Sequence, residues 1–127
     1  MENAANANQK LSLYQRLGEE PGLRKIVNDV LDKNLNNPRI GHYFKKVDMT
    51  KLKQLVFDFF SMGIGGPHQY TGRDMRTAHT GMNISDEDFE SANEDTLLAL
   101  DKNGVGPAEK NEVIAILNSM RADVIRK

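Results

Sequence analysis

The chain has no cysteine and no tryptophan, and only eight of its 127 residues are aromatic, five Phe and three Tyr. Without cysteine there are no disulfides, no thiolate metal sites and no cysteine nucleophile, which fits a reducing compartment. No apolar run approaches the roughly 18 residues that a membrane span requires, and Met1–Lys10 lacks the apolar stretch of a signal peptide. A cytoplasmic location with no membrane partner is therefore expected. A dominant charge sign is missing as well: 17 Lys and Arg stand against 18 Asp and Glu, for a net charge of −1. That balance argues against a protein whose task is to neutralise phosphates, so no nucleic-acid partner is expected. The local exception is Lys45, Lys46, Lys51 and Lys53, which reads as a solvated helix flank. Hydrophobic residues make up 39% of the chain. Exchanging Tyr for Gly in that count gives about 45%, the lower edge of ordinary globular usage. The length suits one domain with a lean core.

What is present is a succession of helix signals. Residues 1–10 are polar and Asn-rich, with nothing to bury, and are expected to be flexible; residues 11–127 form the single domain. Ser12-Leu13-Tyr14-Gln15 has capping-box form and opens a short helix that stops near Gly18. Pro21 then starts a second helix with Leu23, Ile26, Val27, Val30, Leu31 and Leu35 at steps of three and four. Asn37-Pro38 marks a stop and restart before Ile40, Tyr43 and Phe44. Asp48 caps a further helix carrying Met49, Leu52, Leu55, Val56, Phe59 and Phe60, closed by Gly65-Gly66-Pro67. Glycines interrupt residues 66–84, where Met75–Thr80 alone has room for a short helix. Ser85 and its acidic followers cap a helix with Phe89, Ala92, Leu97 and Leu100 on one face. Pro107 opens a last helix running through Val113, Ile116, Leu117, Met120 and Val124. No segment alternates with period two, so the fold class is all-α.

Few residues can carry chemistry. His42, His68 and His79 match no zinc spacing, and no His pair or Glu-His pair sits at helical spacing for a metal. Asp86 and Asp88 read as favourable charge at a helix N-terminus rather than as an acid–base pair. His79 stands apart. It lies on the short helix beside glycine-rich stretches, where loose backbone would let one imidazole approach a large planar cofactor from one side.

The stretch Val47-Asp48-Met49 through Gly65-Gly66-Pro67 and on to Tyr70-Thr71-Gly72-Arg73-Asp74-Met75-Arg76-Thr77-Ala78-His79 resembles the group I truncated haemoglobins. Leu13-Tyr14, Leu17-Gly18, Pro38-Arg39-Ile40, Tyr43-Phe44, Phe89 and Arg121-Ala122-Asp123-Val124 follow in matching order, so the resemblance covers about residues 11–125. It implies a two-over-two helical sandwich around haem b, with His79 as the proximal iron ligand. Phe44 matches the phenylalanine that packs on the haem face. Leu52, Val56, Phe59, Met75, Met82, Ile84, Phe89 and Ile116 become pocket walls. Lys51, Lys53, Tyr70 and Arg73 are placed to meet the haem propionates.

The chain departs from the family on the distal side. Many relatives carry a Tyr on the second long helix and Gln, His or Lys on the helix that covers the haem. Threaded without gaps, those positions hold Leu31, Leu52, Leu55 and Val56 here, all aliphatic; Gln54 should point away. A five-coordinate iron with weakly held oxygen is expected, with His68 as a remote alternative ligand. Met120 stands where a histidine linked covalently to a haem vinyl group would be expected. The resulting expectation is a monomeric haem protein that binds oxygen, carbon monoxide and nitric oxide reversibly. The alternatives are a nitric oxide dioxygenase or peroxidase-like enzyme served by a reductase, and a haem-free helical interaction domain in which His79 is structural.

Overall fold

Ser12 and Gln15 cap each other: the Ser12 hydroxyl accepts from Gln15 N–H at 3.1 Å, and the Gln15 side chain accepts from Ser12 N–H at 3.0 Å. This capping box opens α1 (Leu13–Arg16) in the computed structural model, which describes residues 11–127. The expectation for residues 1–10 lies outside the described residues. The chain then turns through Gly18, at φ +99°, into α2 (Glu19–Asn36). The helix starts at Glu19, two residues before the expected Pro21. The corner is tight, because a Cβ on Gly22 would lie 2.1 Å from the Leu17 carbonyl oxygen. A side chain at position 22 would push the start of α2 off the end of α1.

Leu23, Ile26, Val27 and Leu31 are buried along α2 as the stripe predicts. Leu35 is not: it is 38% exposed, and the buried position belongs to Asn34. Asn34 and Asn37 both donate to the Asp95 carboxylate, at 2.9 and 3.0 Å, and Asn37 also donates to Ser91 Oγ. These bonds satisfy buried amides that would otherwise cost about 1–3 kcal/mol each. A 3-10 turn (Gly41–Phe44) leads to α3 (Met49–Gly63), capped by Asp48 through Lys51 N–H at 3.2 Å. Its end locks onto α1: Tyr14 N–H donates to Ile64 O at 3.1 Å, and a Cβ on Gly66 would lie 2.6 Å from the Tyr14 ring.

The short helix α4 (Met75–His79) forms where Met75–Thr80 was expected. Ser85 caps α5 (Asp86–Lys102) through Asp88 N–H at 3.0 Å, but the face it buries differs from the expected one. Phe89 and Leu100 are buried; between them stand Asn93 and Thr96, while Leu97 is exposed. The expected last helix is two. Helix α6 (Pro107–Ser119) stops at Met120, and α7 (Arg121–Val124) follows. The break swings the C-terminus onto the start of α5, where Arg126 N–H donates to Ile84 O and both Arg121 and Arg126 reach Asp86 at 3.0 and 2.8 Å.

Helix α2 packs against α3 and α5, α5 against α6, and α4 against α7, so the pairs α2/α3 and α5/α6 build the domain. No strand forms among the described residues, only one isolated bridge between Ile84 and Ile125. The buried apolar residues fall into two clusters. The larger holds Leu23, Ile26, Phe57 and Leu100, and the smaller holds Ile84, Phe89, Val124 and Ile125. A cavity adjoins both.

Candidate functional site

His79 closes α4, and its ring faces the cavity. Its Nδ1 lies 2.7 Å from the Met75 carbonyl oxygen, one turn earlier. A carbonyl can only accept, so Nδ1 carries the proton and Nε2 is left with its lone pair available. A neutral imidazole held in one tautomer is the form that ligates a metal. Among the described residues, no group of three His, Asp or Glu could hold a bare ion. A metal at Nε2 would have to arrive already chelated.

The cavity has a volume of about 880 Å³, within the usual range for cofactor and ligand pockets. Its wall includes Phe44, Leu52, Val56, Phe59, Tyr70, Arg73, Met75, Met82, Ile84, Phe89 and Ile116, all of them expected there. Leu31 and Leu55 join Leu52 and Val56 in it, so α2 and α3 contribute aliphatic surface at each of the four distal positions. Gln54 is exposed and takes no part; it bonds Arg24 and Asp58. Met120 lines the cavity at the break between α6 and α7.

Lys53 is the expected cofactor contact that the wall does not include. Its Nζ is drawn to Asp32 and Asn28, 2.7 Å from each, because helical spacing turns it toward α2. Lys51, two residues earlier, does reach the wall, as does Arg73, and neither forms an ion pair among the described residues. His68 is also outside. Its Nε2 meets Glu20 Oε1 at 3.0 Å and its ring packs edge-on to Phe57, which removes it as an iron ligand in this conformation. Tyr70 packs edge-on to Phe59 and donates its hydroxyl to Arg73 O at 2.5 Å.

Several wall residues were not foreseen. Asn93 and Thr96 enter from α5, with Asn93 Nδ2 donating to Asn118 at 3.3 Å and Thr96 Oγ1 to Ala92 O at 3.1 Å. Fixing the phase of α5 on Phe89 and Leu100 would have found both, since positions 93 and 96 fall on that line. Tyr43 and Asp88 also border the cavity, and the Tyr43 hydroxyl donates to Asp88 Oδ2 at 2.7 Å. Burial first, and then the Asp88 carboxylate, push the Tyr43 phenol up to about 12. The same bond, with Arg39 at 2.9 Å, holds Asp88 below the usual carboxylate range. Asp88 therefore does more than place charge at a helix N-terminus. The sequence carried no local sign of this pair, which lies 45 residues apart.

Apolar walls, one imidazole with a free nitrogen and two cations at the wall together fit haem. No helix among the described residues is long and apolar enough to cross a membrane. The bacterial-like globin family matches residues 12–126. A group 1 truncated haemoglobin of Tetrahymena pyriformis is 32% identical over 120 residues, covering 94% of this chain and 99% of that one. Another, from Synechocystis, is 32% identical over 109 residues, covering 83% of this chain and 88% of that one. The crystal structure of the Tetrahymena pyriformis protein in its Fe(III) form superposes with a TM-score of 0.88 over 92% of this chain and 100% of that one. The 2/2 haemoglobin of a Synechococcus species, in the cyanomet state with covalently attached haem, superposes at 0.85 with 30% identity, over 91% and 98%.

Proposed function

Because the chain belongs to the bacterial-like globins, as a group I truncated haemoglobin of two-over-two fold, we propose that it binds diatomic gases reversibly at a five-coordinate haem b iron. The observation that carries this reading is His79: its Nδ1 is fixed on Met75 O, and its Nε2 is free to ligate. Haem supplies an iron whose open face binds the gas. The chain's own residues do the rest. His79 holds the iron from one side, Phe44 and Phe89 cover apolar ring surface, and Lys51 and Arg73 neutralise the propionates at the wall.

Leu31, Leu52, Leu55 and Val56 supply no hydrogen-bond donor and no sixth ligand. Bound oxygen is polarised and gains about 1.5–3 kcal/mol from a charge-assisted hydrogen bond, so its absence leaves oxygen dissociation fast. Carbon monoxide and nitric oxide depend less on such a donor. This wall favours a carrier or sensor of apolar gases over a dioxygenase, which needs a long-lived oxygen complex. Met120, a thioether, forms no covalent link to a vinyl group, and the haem is held by His79 and by contacts. One chain completes the cavity, so the working unit is a monomer.

Absorbance spectra of the purified protein test the reading directly. A Soret band and a five-coordinate ferrous form that converts fully to a carbon monoxide complex are expected. A six-coordinate ferrous spectrum without added ligand would overturn the coordination, and a chain that takes up no haem would overturn the function.

A further inference from the structure

Two tyrosines line the cavity, and their hydroxyls meet different acceptors. Tyr70 donates to a backbone carbonyl, Arg73 O. Tyr43 donates to a carboxylate, Asp88 Oδ2, at 2.7 Å. The third tyrosine, Tyr14, is buried in the larger core cluster and is not part of the wall. The difference matters when an electron leaves the ring. A phenol short of one electron is a strong acid, and it persists as a neutral radical only if a base within about 2.6–3.2 Å takes the proton. A carbonyl is not such a base at any accessible pH, whereas a carboxylate is.

The pair also spans the wall. Tyr43 is half-buried, and the exposed His42 ring lies 4.1 Å from its centroid on the outer side. Arg39, itself half-exposed, holds Asp88 Oδ1 at 2.9 Å, and Asp88 N–H is fixed by Ser85. The carboxylate is thus oriented by two partners that stay in place whether or not it carries the tyrosine's proton. We propose that Tyr43 is a redox-active residue, with Asp88 as its proton acceptor, that carries electrons from a phenolic or ene-diol donor at the surface to haem oxidised by hydrogen peroxide. The proposal rests on the haem reading above.

The step balances one electron at a time. Peroxide takes two electrons from the haem centre and, with two protons, becomes two waters. Tyr43 then gives one electron to the centre as its O–H bond breaks and the proton moves to Asp88 Oδ2. The surface donor returns an electron to the Tyr43 radical, Asp88 returns the proton, and the donor releases one proton of its own. Two such cycles restore the haem and supply the two protons consumed in making water. The aliphatic α2–α3 wall offers no acid or base for peroxide cleavage, so this route operates slowly and protects the haem from its own oxidation.

Electron paramagnetic resonance on the ferric holoprotein, frozen within seconds of mixing with hydrogen peroxide, tests the assignment. Haem loading of each protein is read first from its Soret band. Loss of that band in the wild type would strike the haem reading, and every later result is scored per loaded haem. A tyrosyl radical is expected in the wild type and in Tyr70→Phe, lost in Tyr43→Phe, and quenched when guaiacol is added. Asp88→Asn keeps the shape but cannot take the proton, so at least tenfold less radical is expected, with recovery in Asp88→Glu. A loaded wild type that forms no tyrosyl radical, or a Tyr43→Phe protein that forms the same one, overturns the proposal. An undiminished radical in Asp88→Asn overturns the role of the carboxylate.

Discussion

His79 donates from Nδ1 to the Met75 carbonyl oxygen at 2.7 Å, within a helix only five residues long. The bond fixes ring orientation and tautomer together, so the single imidazole needs no second side chain to aim it. Removing the imidazole should leave the cavity intact and the iron without its protein ligand. In His79→Ala, the ferrous and carbon monoxide spectra should lose their imidazole-ligated form, and millimolar free imidazole should restore it. Retained native ligation in the variant would remove His79 from the iron.

Leu31 is 5% exposed and contributes to the aliphatic wall. Replacing it with tyrosine places a hydroxyl donor in that wall. A bond to polarised oxygen at about 1.5–3 kcal/mol slows dissociation by roughly ten- to a hundredfold. Stopped-flow measurement on Leu31→Tyr should show that slowing for oxygen and a much smaller change for carbon monoxide. An oxygen off-rate already slow in the wild type would contradict the wall's assignment.

Haem explains why so lean a chain folds. The two buried clusters adjoin a cavity of about 880 Å³ that side chains do not fill. Ligand binding to the folded form alone adds RT ln(1 + [L]/Kd), about 4 kcal/mol when the ligand stands a thousandfold above Kd. Haem extraction should therefore lower the melting temperature and loosen the helices around the wall. Circular dichroism melts of the two forms check the first, and amide hydrogen exchange at α4 and α3 checks the second.

The corner between α1 and α2 gives a paired test. A Cβ at Gly22 would lie 2.1 Å from a backbone carbonyl, whereas one at Gly63, within α3, meets nothing within 4 Å. Gly22→Ala should destabilise the protein by about 1–3 kcal/mol, because backbone must shift to admit the methyl group. Gly63→Ala should be neutral or stabilising by about 0.5–1 kcal/mol, through helix propensity. Urea denaturation separates the two.

The features legible in the sequence were those whose cause is local. Ser12 with Gln15, Asp48 and Ser85 cap helices through residues three positions away, and each was found. His79 and the four aliphatic wall positions were reached through a family resemblance with a gapless register. What escaped depended on partners far along the chain. Asn34 is buried in place of Leu35 because Asp95, 61 residues on, receives its amide. Lys53 turns from the cavity because Asp32 and Asn28 hold its ammonium group. The break at Met120 serves backbone bonds from the C-terminus to Ile84 and arginines that meet at Asp86. On α5, residue type misled where phase would have served, since Leu97 faces water and Asn93 does not.

The bond between Tyr43 and Asp88 should show itself at both ends of the pH scale. Asp88 is held below the ordinary carboxylate value of about 3.9 by the Tyr43 hydroxyl, then by Arg39. A depressed carboxyl stabilises the fold above its unfolded value, and that contribution disappears as pH falls through the folded value. Tyr43 is raised to about 12 from an ordinary 10, first by burial and then by Asp88. A raised phenol stabilises fully below the unfolded value and ceases to do so as pH rises toward the folded one. Both effects vanish in Tyr43→Phe, which has neither the hydroxyl nor its hold on Asp88. The stability difference between wild type and variant should be flat from about pH 5 to 9, and shrink below about 4 and above about 10. Urea midpoints across that range give the measurement, and a difference that stays constant at both extremes would show that the bond does not form in solution.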